Sequence, residues 1–228
     1  MRPWHTRRLP AAMLAAAVAA CSSAPHGGLQ TSPQPVGGGR SSSAAIAQAR
    51  ADSVRNPYTT ADVYFMSGMI SHHAQALLMA GWAPSHGASA AVQTLCARIV
   101  NGQKDEIATM QTWLADRRQP VPEARPTGMK MMMGGVEHTM LMPGMLTAGQ
   151  LEQLDQSRGT EFDRLFLTFM IQHHRGALSM VKDLFASNGA GQDEVVFKLA
   201  SGINVDQETE IARMERMLIA SLPASSTP

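Results

Sequence analysis

The strongest constraint on the fold of this 228-residue chain is an internal repeat. Residues 62–79 align with residues 163–180 at a constant offset of 101, and residues 99–114 align with residues 203–218 at an offset of 104. Each repeat, about 60–117 and 148–221, contains two long segments whose apolar residues recur at helical spacing. Because short breaks join the two segments of a repeat, the sequence predicts an all-α, antiparallel four-helix bundle made of two repeated helix pairs.

Capping signals locate four helices. The first is predicted over 60–82, with Thr59 or Thr60 as N-cap and Asp62 in its first turn, and the second over 89–117. The third begins at Thr147, where Gln150 is placed for a capping box, and runs to residue 187 with a break near Gly159. The fourth covers 192–221. No alternating run long enough for a strand is expected anywhere in the chain.

The first 57 residues are predicted to lie outside the bundle. A short apolar run after three arginines is typical of a signal peptide over 1–20, and Val18-Ala19-Ala20-Cys21 resembles a lipobox. Cys21 is therefore the expected lipidation site, and an ordinary cleaved signal peptide is the alternative. Residues 21–57 are rich in Ser, Gly and Pro, which predicts a disordered tether to the membrane. The domain at 58–222 would then work outside the cytoplasm, on the periplasmic side or at the cell surface.

Bulk composition argues against nucleic-acid binding. The formal net charge is only +1, so the chain presents no strong positive field, and aromatic residues make up only 5%. Methionine is abundant instead, at 17 residues.

Polar residues recur on the apolar stripes of the predicted helices. At about 100° per residue, Met69 and His73 lie on the stripe of the first helix and His72 lies at its edge. The bundle centre should thus hold candidate metal ligands from both halves, namely Met69, His72, His73, Met110, Met170, His173, His174 and Met214. The residues expected to orient them are Asp62, Gln103, Glu106, Asp163, Gln207 and Glu210.

This polar core has two interpretations. In one, Glu106 and Glu210 orient His73 and His174 in a hydrogen-bond network that binds nothing, because buried polar groups need partners. In the other, each Met–His pair at i, i+4 converges on one metal ion. Imidazole suits first-row metals and thioether selects Cu(I), whereas the Glu-x-x-His spacing of di-iron bundles is absent.

The crossover at 118–146 adds a second group of soft ligands. It contains seven methionines and one histidine within 17 residues, together with Gly134-Gly135 and Pro143-Gly144. A soft-metal role is predicted for this segment, and a lid packed over the bundle end is the compatible alternative. Its candidate ligands are Met131, Met132, Met133, His138, Met140 and Met142.

Several of these motifs resemble the bacterial domain-of-unknown-function family 305. The matching stretches are residues 69–76 and 162–177, the Met-Pro-Gly-Met-Leu-Thr run before the third helix, and the Gln…Glu-Ile…Met…Leu pattern of helices two and four. The resemblance covers about residues 57–220 and implies an exported, ferritin-like bundle, with copper binding and copper tolerance in some members. Leu167 stands where the first half has Met66, so the two halves need not bind metal equally.

The favoured function is an exported, membrane-anchored protein that sequesters or transfers copper, with Cu(I) as the preferred ion. Loop methionines would capture the ion, and His73, His174, Met69 and Met170 would hold it by ligand exchange, without chemistry on an organic substrate. A ferritin-like redox enzyme and a non-metal adaptor lipoprotein are the alternatives. The sequence leaves open the stoichiometry, the oligomeric state and the partner that receives the ion.

Overall fold

The computed structural model describes residues 58–221. The signal peptide, Cys21 and the tether predicted from the sequence lie outside these residues. In chain order the elements are α1 (Thr60–Gly81), α2 (Ala90–Asp116), β1 (Met129–Met133), β2 (Val136–Met140), α3 (Ala148–Gln156), α4 (Gly159–Ala186) and α5 (Glu194–Ala220). None of the helices within this part of the chain is long and apolar enough to cross a membrane.

The helix starts confirm the capping signals. Thr59 and Asp62 form a capping box at α1, and Thr147 and Gln150 form another at α3. Ser89 caps α2 through its side chain. The break expected near Gly159 separates α3 from α4, where Gly159 adopts a φ of +59°.

The bundle consists of two helix pairs, and the first helix of one pair packs against the first helix of the other. α1 packs on α2, α4 packs on α5, and α1 packs on α4 at the centre of the bundle. Asp62, at the start of α1, accepts a hydrogen bond from Gly191 N (2.7 Å) just after α4. Asp163, at the equivalent position of α4, accepts from Ser89 N (3.1 Å) just after α1. These reciprocal contacts make α1 and α4 antiparallel and relate the two halves by a pseudo-two-fold axis.

The expectation that the chain has no strand is wrong for the crossover. β1 and β2 form an antiparallel hairpin with Met131 opposite His138 and Met129 opposite Met140. Gly134 and Gly135 connect the strands with φ values of +60° and +83°, which suit the tight turns that hairpins prefer. Gly-Gly between two short runs was therefore a hairpin signal, and the high methionine content hid the alternation of the strands.

The core divides into two clusters of different composition. The cluster that involves α1, the crossover and the end of α4 contains buried methionines from several elements: Met66, Met69, Met110, Met129, Met142, Met145 and Met180. The other cluster is built around aromatic and branched residues of α4, with Phe162, Phe166 and Phe169 beside Met170 and Met214. The two repeats therefore share one backbone arrangement, but the two clusters of the core differ in side-chain chemistry.

Candidate metal centre

His72 and His173 meet on the pseudo-two-fold axis. Their ring centroids are 3.7 Å apart and their planes are inclined by 35°. Both side chains are fully buried, because α4 covers the edge of the α1 stripe on which His72 lies. The sequence placed His72 only at the edge of that stripe, since the packing of α1 on α4 cannot be read from one helix alone.

The hydrogen bonds of this pair determine its tautomers. His72 Nε2 donates to the carbonyl oxygen of Pro143 (3.0 Å), and His173 Nε2 donates to the carbonyl oxygen of His72 (2.9 Å). A carbonyl oxygen can only accept, so the ring proton lies on Nε2. In the neutral ring, Nδ1 then carries an unprotonated lone pair.

The environment keeps these two rings neutral. Burial lowers the pKa of His72 well below its usual value, and the nearby His73 and His174 lower it further. Burial lowers the pKa of His173 in the same way, with added repulsion from His72, His174 and His73. A neutral imidazole is the form that binds a metal ion.

The second histidine of each motif is held by a carboxylate from the neighbouring helix. His73 Nε2 lies 2.6 Å from Glu106 Oε2, and His174 Nε2 lies 2.6 Å from Glu210 Oε2. Both imidazoles are fully buried, whereas the glutamate side chains are 20% and 24% exposed. The Glu–His pairing inferred from the sequence is thus present in each half, with Nε2 directed to the carboxylate.

Four ring nitrogens remain without a partner. Nδ1 of each of the four core histidines is buried and makes no hydrogen bond within the described chain, and the amide groups of Gln103 and Gln207 are in the same condition. A closed hydrogen-bond network would satisfy both nitrogens of each ring, because an unmade bond at a buried polar atom costs about 1–3 kcal/mol. The network interpretation accounts for the Nε2 atoms only. The Nδ1 lone pairs have the chemistry of metal ligands, and a carboxylate or carbonyl on the opposite nitrogen is the usual support for such a ligand.

Buried thioethers are the other candidate ligands of such a site. Among residues 58–221, no group of three or more His, Cys, Asp or Glu side chains is placed to hold a metal ion. Met69, Met110, Met170 and Met214 are all fully buried, the first two in the methionine-rich cluster and the last two in the aromatic cluster. A donor set of nitrogen and sulfur favours copper, and Cu(I) in particular, over hard ions.

The crossover ligands differ in accessibility. On one face of the hairpin, Met131 and His138 are directly opposite each other, next to Met140. Met132 and Met133 are exposed at the hairpin tip, at 67% and 55%. Met142 is instead buried beside α1, so the structure does not place it with the other hairpin candidates.

Two predicted positions lie apart from the histidines. Asp62 and Asp163 sit at the starts of α1 and α4, about 16 Å along their helices from His73 and His174. Their carboxylates join the helix ends, as described above.

The sequence missed the residues that fasten the crossover to α1. The Gln75 side chain donates to the carbonyl oxygens of Pro126 (3.0 Å) and Leu146 (3.1 Å) and accepts from Leu146 N (2.6 Å). Contacts between a helix and irregular backbone have no periodic signature. The repeat offered one signal. Gln75 and Gly176 occupy equivalent positions in the two halves but are different residues, and both face the crossover.

A polar cleft, which also contains Arg98 and Arg213, opens between α2 and α5. Its volume is about 270 Å³, and Gln103, Glu106, Asp206, Gln207 and Glu210 lie along its wall. Burial raises the pKa of Asp206, and the charges of Glu106 and Glu210 raise it further. The cleft brings solvent to the carboxylates that hold His73 and His174.

Cys96 is a structural residue of the aromatic cluster. Burial, with a contribution from Asp163, raises the pKa of its thiol to about 12. It is therefore a thiol at neutral pH and has no thiolate to offer a metal.

Solved structures similar to this chain include metal-bound forms of one protein, CopM. CopM in a Cu(II)-bound form is 28% identical, with a TM-score of 0.55 over 71% of this chain and 97% of its own. CopM in a Cu(I)-bound form is 25% identical, with a TM-score of 0.54 over 73% of this chain and 100% of its own. CopM has also been crystallised with silver. A comparison with curated proteins gave no significant match.

A further similar structure is that of a DUF305 protein from Streptomyces coelicolor, described as secreted. It is 28% identical, with a TM-score of 0.60 over 71% of this chain and 93% of its own. The profile of the domain of unknown function DUF305 matches residues 62–218, most of the chain. The resemblance drawn from the sequence motifs is confirmed, and the chain belongs to the DUF305 family.

Proposed function

We propose that this protein binds copper at the bundle centre and sequesters or transfers it outside the cytoplasm. The observation that carries the proposal is the set of four buried Nδ1 atoms that have no partner within residues 58–221, each on a ring whose Nε2 is already held. The copper-bound and silver-bound forms of the related CopM support the choice of metal.

The holding site would combine imidazole and thioether ligands. Nδ1 of His73 with the sulfur of Met69, and Nδ1 of His174 with the sulfur of Met170, are the ligand pairs that one helical turn brings together. Met110 and Met214, from the neighbouring helices, are the next candidates in each half. Burial lowers the pKa values of His72 and His173. Protons would therefore not compete with a metal ion for these two rings at neutral pH.

The hairpin would supply the capture site. Met131 and His138 are a directly opposed cross-strand pair, so their Cβ atoms lie about 5 Å apart, and Met140 is on the same face. Met132 and Met133 are exposed and could make the first contact with an incoming ion. The ion would then exchange thioether ligands stepwise on its way to the core.

Export and anchoring complete the proposal. Cys21 would carry the lipid, residues 21–57 would form the tether, and the related Streptomyces protein described as secreted supports export. Cys21→Ser should move the protein from the membrane fraction to the soluble fraction after cell lysis. An unchanged membrane fraction would contradict the lipid anchor.

A Cu(I) titration against a competing chelator tests the metal-binding claim. The wild-type protein should withdraw Cu(I) from the chelator, and the double variant His73→Gln/His174→Gln should lose at least tenfold in affinity. His86→Gln is the matched control, because His86 is also buried but both of its ring nitrogens have partners, Ser85 and Asp155.

The same titration separates the alternatives. If neither copper binding nor a rise in melting temperature occurs with the wild type, the copper function is contradicted, since a ligand that binds only the folded state must stabilise it. That result favours the adaptor alternative, and oxygen-dependent turnover with iron or manganese would instead favour the redox enzyme. If the double variant binds as well as the wild type, the copper is not held at these rings.

A further inference from the structure

Two methionine side chains meet at a glycine in the middle of α1. A Cβ atom on Gly68 would lie 2.7 Å from Cε and 3.3 Å from Sδ of Met142, and 3.4 Å from Cε of Met180. Met142 comes from the crossover and Met180 from α4, and both are almost completely buried. Glycine inside a helix costs about 0.5–1 kcal/mol relative to alanine, and here it leaves room for two thioethers side by side.

A cavity connects this pair with the surface. It has a volume of about 240 Å³, and its lining includes Tyr64, Met142, Met180 and Asp183. Tyr64 and Asp183 are exposed, so a carboxylate stands at the mouth, while the two methionines form buried parts of the wall.

The mouth of the cavity adjoins the hairpin, and its wall adjoins the histidine centre. The hydroxyl group of Tyr64 lies 3.8 Å from Sδ of Met140 on β2. Pro143, the residue after Met142, accepts the hydrogen bond from His72 Nε2 through its carbonyl oxygen. The cavity that contains the methionine pair therefore borders both the hairpin, at Met140, and the backbone that holds His72.

Within residues 58–221, the second half of the bundle does not repeat this methionine pair. The repeat aligns Gly68 with Phe169 and Met180 with Met79, at the offset of 101. Phe169 is buried in the aromatic cluster, and no crossover segment supplies a second Met142. The room that glycine leaves in one half is taken by an aromatic ring in the other.

We propose that Met142 and Met180 form a thioether site for a soft monovalent cation, Cu(I) or Ag(I), and that this site lies on the access route from the hairpin to the histidine centre. The inference rests on the proposed copper function and adds the path by which the ion arrives. Each step is an exchange of one thioether for another, and the ion keeps its charge and oxidation state throughout.

Silver(I) is a suitable probe, because it has the same charge as Cu(I) and does not oxidise in air. In the wild type, the ε-methyl NMR signals of Met142 and Met180 should shift at substoichiometric Ag(I), before the core histidine signals change. In Met142→Leu/Met180→Leu, loading of the core measured by stopped flow should slow at least tenfold, because leucine keeps the volume but lacks the sulfur. Met79→Leu is the matched control at the equivalent position and should load at the wild-type rate.

Gly68→Ala provides a second, independent test. Its new methyl group must displace the end of the Met142 side chain, so loading should slow although both sulfurs are present. Gly81→Ala is the control in the same helix, since nothing lies within 4 Å of a Cβ atom there.

The outcomes distinguish this inference from the proposed function. A wild type that binds no Ag(I) overturns both. A wild type that loads its core histidines while the two methyl signals stay unshifted, or a double leucine variant that loads at the wild-type rate, overturns the access route and leaves copper binding at the core intact.

Discussion

Each core histidine uses one nitrogen for structure, and its other nitrogen has no partner among the residues that the structure describes. Backbone carbonyls hold Nε2 of His72 and His173, and glutamates hold Nε2 of His73 and His174. The free nitrogen is Nδ1 in all four cases. This uniform division is what a preorganised nitrogen donor requires, because the ring is oriented and its tautomer is fixed before a metal arrives.

Stability of the metal-free protein should fall in mild acid. The folded-state pKa values of His72 and His173 are lowered, so below about pH 6.5 the unfolded chain binds more protons than the folded one. The stabilising contribution is therefore complete above this pH and is lost as the pH falls, at about 1.4 kcal/mol per pH unit for each ring. Melting curves at pH 7.5 and 5.5 should show a clear drop, and a melting temperature that is the same at both values would contradict the burial of neutral rings.

The glutamates should matter for metal affinity more than for folding. Glu106→Gln/Glu210→Gln keeps an acceptor near each Nε2 but removes the charge, so copper affinity should fall about 10- to 100-fold. The chelator competition described above measures this change. Glu215→Gln, which affects only a surface pair with Arg175, should leave the affinity unchanged. If the Glu106→Gln/Glu210→Gln variant binds copper as tightly as the Glu215→Gln variant, the carboxylates of Glu106 and Glu210 do not support the metal ligands.

Much of this residue-scale arrangement could be predicted from helical periodicity. Periodicity placed His73, His174, Glu106 and Glu210 toward the interior, because all four lie on the apolar stripes. The stacking of His72 on His173 could not be predicted, since it depends on how closely two separate helices approach. The absence of partners at Nδ1 within the described residues could not be predicted either, because a sequence gives residue types but not hydrogen-bond partners.

At the scale of elements, the crossover is fixed to the bundle by a close backbone contact. A Cβ atom on Gly176 of α4 would clash with the carbonyl group of Pro143 and would lie 2.6 Å from Cα of Gly144. Gly144 has a φ of +77°, which favours glycine at that position too. The segment that carries Met142 and anchors His72 thus depends on two glycines facing each other.

Gly176→Ala should destabilise the fold strongly. The new methyl group meets backbone atoms that cannot rotate away, so we expect a loss of about 3 kcal/mol, at the upper end for overpacking. Urea denaturation of the full chain measures this change. Gly102→Ala is the control, because nothing lies within 4 Å of its Cβ position, and it should be neutral or stabilising by up to about 1 kcal/mol. Similar stabilities for the two variants would mean that the crossover does not dock as described.

The helices were more predictable than the crossover for a physical reason. Helices carry local signals, such as the capping boxes at Thr59 and Thr147, which act within four residues. The hairpin is held by the Gly134-Gly135 turn and by packing against α1, and its methionine-rich strands lack the usual contrast between polar and apolar positions. Consequently the position of the crossover could be predicted from the sequence, but its hairpin could not.

At the scale of the whole molecule, a symmetric backbone encloses an asymmetric interior. The methionine-rich cluster surrounds Met69, whereas the aromatic cluster surrounds Met170. The replacement of Met66 by Leu167 noted in the repeat is one of several such departures, together with Gly68 and Phe169. The end of the bundle that receives the crossover is therefore richer in soft ligands.

The two halves should bind copper with different affinities. Met69→Leu should weaken the first equivalent of Cu(I) in a stepwise titration, because it removes a sulfur from the methionine-rich cluster. Met170→Leu, the equivalent change in the other half, should affect only the second equivalent. Identical titration curves for these isosteric variants would contradict the functional asymmetry.

The central claim is that Nδ1 atoms of the core histidines are metal ligands, and nitrogen-15 NMR of the histidine rings tests it most directly. In the metal-free protein, Nε2 should be protonated and Nδ1 unprotonated in all four rings. With saturating Ag(I), Nδ1 of His73 and His174 should shift and show coupling to silver, while the His86 nitrogens stay unchanged. Protonated Nδ1 atoms in the metal-free protein, or ring signals that stay unchanged when silver saturates the protein, would contradict the claim.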